Sequence, residues 1–562
     1  MCIMGASGCS EWGAPAFCPT SQSCVASQDH DSAACACNVG SVLVAGLCTV
    51  DLPMPPPRAV APLSTATVSS QRPVLRWVLA SGEDGAVVEI CHDRACTQPV
   101  VSFAVSGTSG APPAALAAGL YHWRLRGTRN GAVGTMTSPV WELFVGARNA
   151  PVNTSWGTTL DVNGDGLADV LVGAQQASNG TGAVHVYLAG NGGLSSIPTT
   201  LASPAGPSGF FGSSVASAGD MNGDGLADVI VGASSASAYV GAAYVYLAGP
   251  GGLSTPPIAL PATSGPSGLF GASVASAGDV NADGYADVVV GAPGTGAGAF
   301  VYLGAANGPS MTPLALVPPS SASNAGRSVA SAGDVNGDGF ADIIVGAPST
   351  TQGVAYLYLG GAAGPARAPQ ELDAPSEPES LYFGSSVAGA GDVNGDGYAD
   401  VVVGSSSSGG MYAHVYVYLG GPGGLSMPPT MLPYGYAVAS AGDVNGDGFA
   451  DVVVGASGST STSAYVYLGG AGGISQTPLT LAGPVSSFGY VVAGAADVNG
   501  DGFADVLVGA PSTGAGAASV FFGAATGPSA TPSIVLMGSS PNTGFGASLA
   551  SARRRGARRH VP

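Results

Sequence analysis

The chain of 562 residues is acidic, with a formal charge of −19, no lysine and only 9% charged residues. Its fifteen basic residues are arginines, sparse before the tail, where five crowd between Arg553 and Arg559, so the electrostatic footprint of a nucleic-acid binder is absent. Apolar content is 46%, yet no run approaches the roughly 18 residues needed to span a bilayer.

Residues 1–50 form a cysteine-rich segment. Cys9, Cys18, Cys24, Cys35, Cys37 and Cys48 fall in a stretch of glycine, serine and alanine with almost no core. Six cysteines in so short a span argue for disulfides and an oxidising compartment. Structural zinc is the alternative, weakened by the missing Cys-x-x-Cys pairs. The ending Cys35-Ala36-Cys37 … Gly46-Leu47-Cys48 resembles the second half of an EGF-like domain, and Cys2 is left over. The start MCIMGASGCS lacks the basic residues and apolar run of a signal peptide. Ala6-Ser7-Gly8-Cys9 resembles a bacterial lipobox, which would place the true start upstream and make the product an outer-membrane lipoprotein.

Residues 51–57 read as a stiff, proline-rich linker. Residues 58–146 then alternate as a small β-sandwich does, in Val74-Leu75-Arg76-Trp77, Ala86-Val87-Val88-Glu89-Ile90 and Leu120-Tyr121-His122-Trp123-Arg124-Leu125-Arg126. The last segment, with Trp77 as its core partner, resembles a fibronectin type III domain. Cys91 and Cys96 are expected to pair across a hairpin end. This domain is expected to be a spacer whose arginines cover a solvated strand face.

Residues 150–552 are dominated by seven copies of Asp-x-Asn-x-Asp-Gly-x-x-Asp, whose starts lie 59, 59, 55, 58, 51 and 54 residues apart. A period of fifty-odd residues means stacked supersecondary units. Each copy has the oxygen spacing of a calcium loop. Positions 1, 3, 5 and 9 offer side-chain oxygens, position 7 offers its carbonyl, and Gly at position 6 permits the turn that converges them. The first two donor sets are Asp161, Asn163, Asp165, Leu167 and Asp169, then Asp220, Asn222, Asp224, Leu226 and Asp228. Next come Asp279, Asn281, Asp283, Tyr285 and Asp287, then Asp334, Asn336, Asp338, Phe340 and Asp342. The fifth and sixth are Asp392, Asn394, Asp396, Tyr398 and Asp400, and Asp443, Asn445, Asp447, Phe449 and Asp451. The last is Asp497, Asn499, Asp501, Phe503 and Asp505. An EF-hand is excluded because position 12 is apolar (Val172, Val231, Val290) and each loop runs into a β-branched strand such as ADVVVGA. The alternative is a set of Asx-rich turns that bind nothing, and seven complete copies weigh against it. Of the 34 acidic residues, 21 are loop aspartates, so the acidity is mostly a requirement for calcium, up to seven ions, and not a sign of a basic partner.

The surroundings repeat as regularly. Phe-Gly stands nine residues before the first Asp (Phe211-Gly212, Phe270-Gly271, Phe383-Gly384, Phe488-Gly489), with Tyr434-Gly435 and Ala325-Gly326 as variants. Gly-Ala-Pro follows the loop at Gly291, Gly346 and Gly509, and then come a Gly/Ser turn, an apolar strand such as Tyr244-Val245-Tyr246-Leu247 and a Pro-bounded segment. Four short strands per unit is the content of a propeller blade. These residues resemble the FG-GAP repeats of integrin α-subunit propellers and their bacterial relatives. The resemblance implies an all-β chain whose seven-bladed β-propeller carries calcium between the first and second strands of each blade.

The first repeat has Val152-Asn153 where Phe-Gly belongs, and the C-terminus supplies the converse, Phe545-Gly546-Ala547-Ser548-Leu549-Ala550-Ser551-Ala552 with no loop behind it. A C-terminal strand completing the first blade would leave no free edge. Arg554 stands where the next calcium Asp would fall, so residues 553–562 read either as a frameshifted eighth repeat or as an ordinary basic tail.

Catalytic equipment is scarce between 150 and 552. There is no Cys or Lys, and His185 and His414 lie on apolar strands where a packed role is expected. The acids outside the loops are Glu371, Asp373, Glu377 and Glu379, all in one segment, whereas glycoside hydrolysis needs two acids facing across a substrate. The reading is therefore a non-catalytic, secreted or cell-surface propeller. The resemblance implies adhesion or recognition of an extracellular protein or glycan. A calcium-dependent polysaccharide lyase on the same scaffold is the alternative. The segment Gln370 to Tyr382, with its four acids and Tyr382, is the candidate ligand contact, against the plainer reading of a solvated, extended loop.

Overall fold

A computed structural model of the protein describes residues 54–146 and 161–551. Breaks fall at 65, 69, 164–166, 191–192, 250–251, 263–264, 266, 295–297, 320–323, 350–352, 374–381, 407–412, 458–461, 484 and 512–513. Side chains are also outside the described set at 457 and 552, and only backbone strands are described within 3–50 and at Ser155–Thr158. The six cysteines between Cys9 and Cys48 and the tail 553–562 thus lie outside the described residues.

Seven four-stranded antiparallel sheets occupy the region after residue 161. Their second strands (Asp169–Ala174, Asp228–Ala233, Asp287–Ala292, Asp342–Ala347, Asp400–Gly404, Asp451–Ser457, Asp505–Ala510) carry unbroken Val, Ile and Leu runs. Packed sheets cover both of their faces, so their valines are buried without alternation. First strands such as Ser273–Gly278 are built from Ala, Ser and Gly. They stand side by side in a closed cycle, Phe211–Gly219 touching both Ser273–Gly278 and Phe545–Ala552. Small side chains are required where seven inner strands converge. Ala218, Ala277, Ala332, Ala390, Ala441 and Ala495 are fully buried there. Fourth strands alternate, as in Gln370–Asp373, where only Leu372 is buried. The whole is a repeated-sheet, β-propeller-like fold.

The ring is closed by strand exchange. Phe545–Ala552 pairs antiparallel with Asp169–Ala174, Leu549 opposite Val172 and Ala552 opposite Asp169, so the last strand forms the inner edge of the first sheet. The Phe-Gly signature has a packing cause. Phe211, Phe270, Phe383 and Phe488 are fully buried. Gly271, at φ +83°, presses its carbonyl on Gly232 of the preceding sheet, where a Cβ on either glycine would collide with backbone. A glycine in Val-Gly-Ala thus meets a glycine in Phe-Gly of the next sheet.

Residues 58–146 form two sheets, Arg58–Ala61 with Leu75–Val78 and Ser109–Gly110, and a larger one around Gly85–Cys91, Gly119–Arg129 and Trp141–Val145. They share a core of Leu75, Trp77, Val88, Trp123, Leu125 and Trp141. Cys91 and Cys96 are joined by a disulfide at the end of Gly85–Cys91. Arg124 and Arg126 lie on a strand face as expected, both held by Glu89 at 2.6 and 3.1 Å. Two further arginines reach the propeller. Arg94 donates to the carbonyl of Gly284 at 2.8 Å and lies 4.0 Å from the Tyr285 ring, while Arg58 donates to Asp338 O at 2.6 Å and lies over Phe340. Ala282 and Phe340 join the sandwich core. The domain therefore sits on the Asp-rich loops, and Val60 to Ser64 line a cavity of about 360 Å³ at the mouth between the inner strands.

Candidate metal loops

Six of the Asp-rich loops connect the first strand of a sheet to its second, while the loop at Asp161 leads into Asp169–Ala174, whose inner neighbour is the C-terminal strand; backbone N–H groups hold the loop side chains. In the second loop Asp220 Oδ1 accepts from Gly223 and Asp224, and its Oδ2 from Gly225 at 2.8 Å. Asn222 Oδ1 accepts from Asp224 N–H and its amide donates to Asp224 Oδ2, while Leu226 N–H donates to Asp224 Oδ1. The loops at 334, 392, 443 and 497 repeat this network, for example at Asp334 and Asp392. In the third loop Ala282 replaces glycine at position 4 and adopts φ +58°.

Position 9 works differently. Asp228 Oδ2 accepts from Met221 N–H at 2.9 Å and Oδ1 from Ala248 N–H at 2.8 Å, twenty residues further on. The same pair of bonds recurs at Asp169, Asp287, Asp342, Asp400, Asp451 and Asp505. This aspartate is thus a clasp between its loop and the end of the third strand, and each oxygen keeps one further lone pair.

The loops are also joined to one another. The position-8 N–H donates to the position-1 carbonyl of the preceding loop: Ala227 to Asp161, Ala286 to Asp220, Ala341 to Asp279, Ala399 to Asp334, Ala450 to Asp392 and Ala504 to Asp443. Ala168 N–H reaches Asp497 O at 3.4 Å and completes the circle. Seven loops form one hydrogen-bonded ring.

Charge accumulates in this ring. Burial pushes Asp228 and Asp400 up to about 8, Asp279 to about 7, and Asp334 and Asp443 to about 6, with neighbouring loop aspartates adding to each rise. Asp287, Asp342, Asp451 and Asp505 are driven well above the usual carboxylate range, again first by burial. Among the described residues, no three His, Cys, Asp or Glu side chains are gathered tightly enough to hold an ion as they stand. The donor set nevertheless fits a hard cation. It is all oxygen, it carries three carboxylates per loop, and its buried charge lacks a counter-ion on the same loop.

Of the expected donors, all but Asp165 lie among the described residues. Glu371 and Asp373 do not lie on a loop. They point outward from the fourth strand Gln370–Asp373, because Leu372 between them is buried. Glu377 and Glu379 lie outside the described residues. Tyr382 adopts φ +53° and donates its N–H to Ser349 O. His185 and His414 sit on third strands. His185 Nδ1 is 3.1 Å from Thr200 Oγ1, the ring stacks near Phe545, and burial holds its pKa below the usual value. The sequence reading missed Arg58, Arg76, Arg94 and Glu142, the charged residues that the sandwich turns to the loop face. A partial signal existed in Trp141-Glu142-Leu143-Phe144-Val145, a lone acid within an apolar strand.

Residues 161–231, 279–345, 392–454 and 443–508 match the FG-GAP-like repeat family. Integrin alpha-IIb of Mus musculus is 38% identical over 162 residues, 24% of this chain and 15% of that protein. Integrin alpha-3 of Cricetulus griseus is 42% identical over 98 residues, 17% of this chain and 9% of that protein. Integrin alpha-4 of Xenopus laevis is 29% identical over 143 residues, covering 22% and 14%. The matched stretches thus span less than a sixth of these relatives' length. A crystal structure of a protein from Lactobacillus plantarum superposes with TM-score 0.41 at 13% identity, over 68% of this chain and 99% of that one. Bacillus licheniformis rhamnogalacturonan lyase PL11 gives TM-score 0.28 at 13% identity, over 86% and 76%. Superpositions this loose carry no argument about function. The repeat matches, the integrin relatives and the repeated four-stranded sheets together support an FG-GAP, integrin-like β-propeller.

Proposed function

We propose that the chain is a seven-bladed, calcium-stabilised FG-GAP propeller that binds an extracellular protein or glycan without turning it over, in a secreted or cell-surface setting. On this reading the seven sheets are the blades, residues 58–146 are a fibronectin type III-like sandwich, and residues 1–50 are a disulfide-bonded, EGF-like module. The observation that carries the metal reading is the ring of seven loops, each with three aspartates of which the position-9 one is buried, and no lysine in the chain. Calcium would be held by positions 1, 3 and 5, the position-7 carbonyl and the free lone pairs of position 9. Bound there, it would supply the positive charge that the loops lack and fix their conformation. Recognition is assigned to the face away from the loops, because the sandwich covers part of the loop face. Residues Glu371, Asp373, Glu377, Glu379 and Tyr382 are the leading contact candidates there.

The deciding experiment is a binding array of matrix proteins and glycans with and without calcium, run beside a polysaccharide cleavage assay read by the absorbance of unsaturated products. Calcium-dependent capture without cleavage is expected. Cleavage would overturn the binding reading in favour of a lyase. Once a ligand is captured, changing the four acids to Ser and Tyr382 to Ala should weaken it. Unchanged affinity would move recognition to the plain Gly/Ser turns.

A further inference from the structure

We infer that Arg94 and Arg58 lock the loops of Asp279 and Asp334 beneath the sandwich, so that the ring holds two kinds of cation site. Two loops exchange an ion only when the sandwich lifts, and the others exchange it freely. The inference rests on the calcium reading above and goes beyond it, because the repeat by itself makes all seven loops alike.

The two locks come from separate segments of the sandwich and are built the same way. Arg94, in the turn closed by the Cys91–Cys96 disulfide, donates to Gly284 O at 2.8 Å and lies 4.0 Å from the centre of the Tyr285 ring. Arg58, which opens the strand Arg58–Ala61, donates to Asp338 O at 2.6 Å and lies 4.7 Å from the centre of the Phe340 ring. In each loop one hydrogen bond holds the backbone at position 5 or 6. One ring contact holds the position-7 residue, whose carbonyl belongs to the donor set. Sandwich backbone then closes the remaining space. A Cβ on Gly284 would collide with the Val140 carbonyl, and one on Gly339 with the Val60 backbone. Ala282 and Phe340 of these two loops are buried in the sandwich core.

Other loops are more open. At Gly397 the nearest atoms are those of the Arg76 guanidinium, the far end of a flexible side chain. Exposure follows the same division. The position-5 carboxylates Asp224, Asp396 and Asp501 are exposed, whereas Asp283 and Asp338 are half-buried. Release of an ion requires its loop to open and water to take the vacated place. A loop with exposed side chains and few buried contacts opens locally, but one packed beneath another domain opens only with that domain. Each lock adds a charge-assisted hydrogen bond and a cation–π contact to the barrier.

The test is rapid mixing of the calcium-loaded full chain with an excess of a fluorescent chelator, with release followed in time. It is run on the wild type, Arg58→Ala, Arg94→Ala, the double variant and Arg76→Ala, and melting in EDTA checks that each is folded. The wild type should release two ions per chain in a slow phase, about tenfold or more behind the rest, the factor that such contacts supply. Each of Arg58→Ala and Arg94→Ala should move one ion from the slow phase to the fast one, and the double variant should have no slow phase. Arg76→Ala should leave the slow phase as it is, because its loop is already open. A wild type that binds no calcium would overturn the calcium reading and this inference with it. A wild type that binds calcium and releases it in one phase would overturn the lock alone, as would a slow phase that survives in the double variant. Faster release in both phases would mark a general loosening and equally overturn it.

Discussion

The propeller and the sandwich solve the same problem, a stable core, by opposite means. The sandwich buries Trp77, Trp123 and Trp141 in one cluster and neutralises the half-buried Glu89 with Arg124 and Arg126. The propeller packs Val, Ala and Gly backbone against backbone, and among the described residues it contains no ion pair. Its 21 loop aspartates share residues 150–552 with only two arginines, Arg327 and Arg367. Glu89 is thus satisfied from within the sandwich, whereas charge in the propeller loops is left for something else to balance. Repetition explains the contrast. A unit copied seven times around an axis can afford only small residues near that axis, and its loops must all carry the same sign.

The largest test of this contrast is chelation. A ligand bound only to the folded state stabilises by about 2.7 kcal/mol per site at a hundredfold excess over Kd, so seven loops sum to a large effect. Melting followed by strand circular dichroism should fall by tens of degrees from millimolar calcium to EDTA. Fluorescence of the sandwich tryptophans should shift less. Equal melting in both buffers would refute the metal reading.

Closure comes next. Removing residues 543–552 strips Asp169–Ala174 of its inner neighbour and exposes a long apolar edge. Early melting or aggregation in light scattering is expected, while removal of 553–562 alone should change neither. Equal behaviour of the two truncations would show that the strand exchange contributes nothing.

A smaller effect separates the regions by pH. In EDTA the folded-state pKa of Asp228 and Asp400 is raised to about 8, above the ordinary unfolded value. A carboxyl raised on folding binds its proton more tightly in the native state, so its stabilising contribution is present at low pH. That contribution is lost as pH climbs from about 4 towards 8. Melting of the metal-free chain should therefore decline across pH 5 to 8.5, and calcium should flatten the slope. A metal-free chain that gains stability over this range would contradict the buried, unbalanced charge.

The smallest effect concerns the seam between the regions. Arg94→Ala removes a charge-assisted hydrogen bond and a cation–π contact, together about 1–2 kcal/mol. Total melting should barely move, but limited proteolysis between residues 146 and 161 should accelerate. Unchanged cleavage would mean that the arginines do not hold the sandwich on the loops.

Much of this was legible beforehand because the repeat is local. The Asp-x-Asn-x-Asp-Gly spacing marks each turn, ADVVVGA marks each doubly covered strand, and the missing Phe-Gly at Val152-Asn153 beside the spare one at Phe545-Gly546 pointed to the exchanged strand. Other features left no periodic trace. Asp228 looks like one more ligand in its motif, yet its partner Ala248 lies twenty residues away at the end of another strand. Glu371 and Asp373 looked like a loop tip until Leu372 was found turned inward.

By itself, the sequence determined the number of loops, their oxygen chemistry and the four-strand content of each repeat, because these depend on residues within one repeat of each other. Only the tertiary structure decided that the loops bond into a ring and that the sandwich rests on them through Arg94 at Gly284 and Arg58 at Asp338. Those contacts join residues dozens to hundreds of positions apart, and their geometry follows from how whole sheets and domains pack.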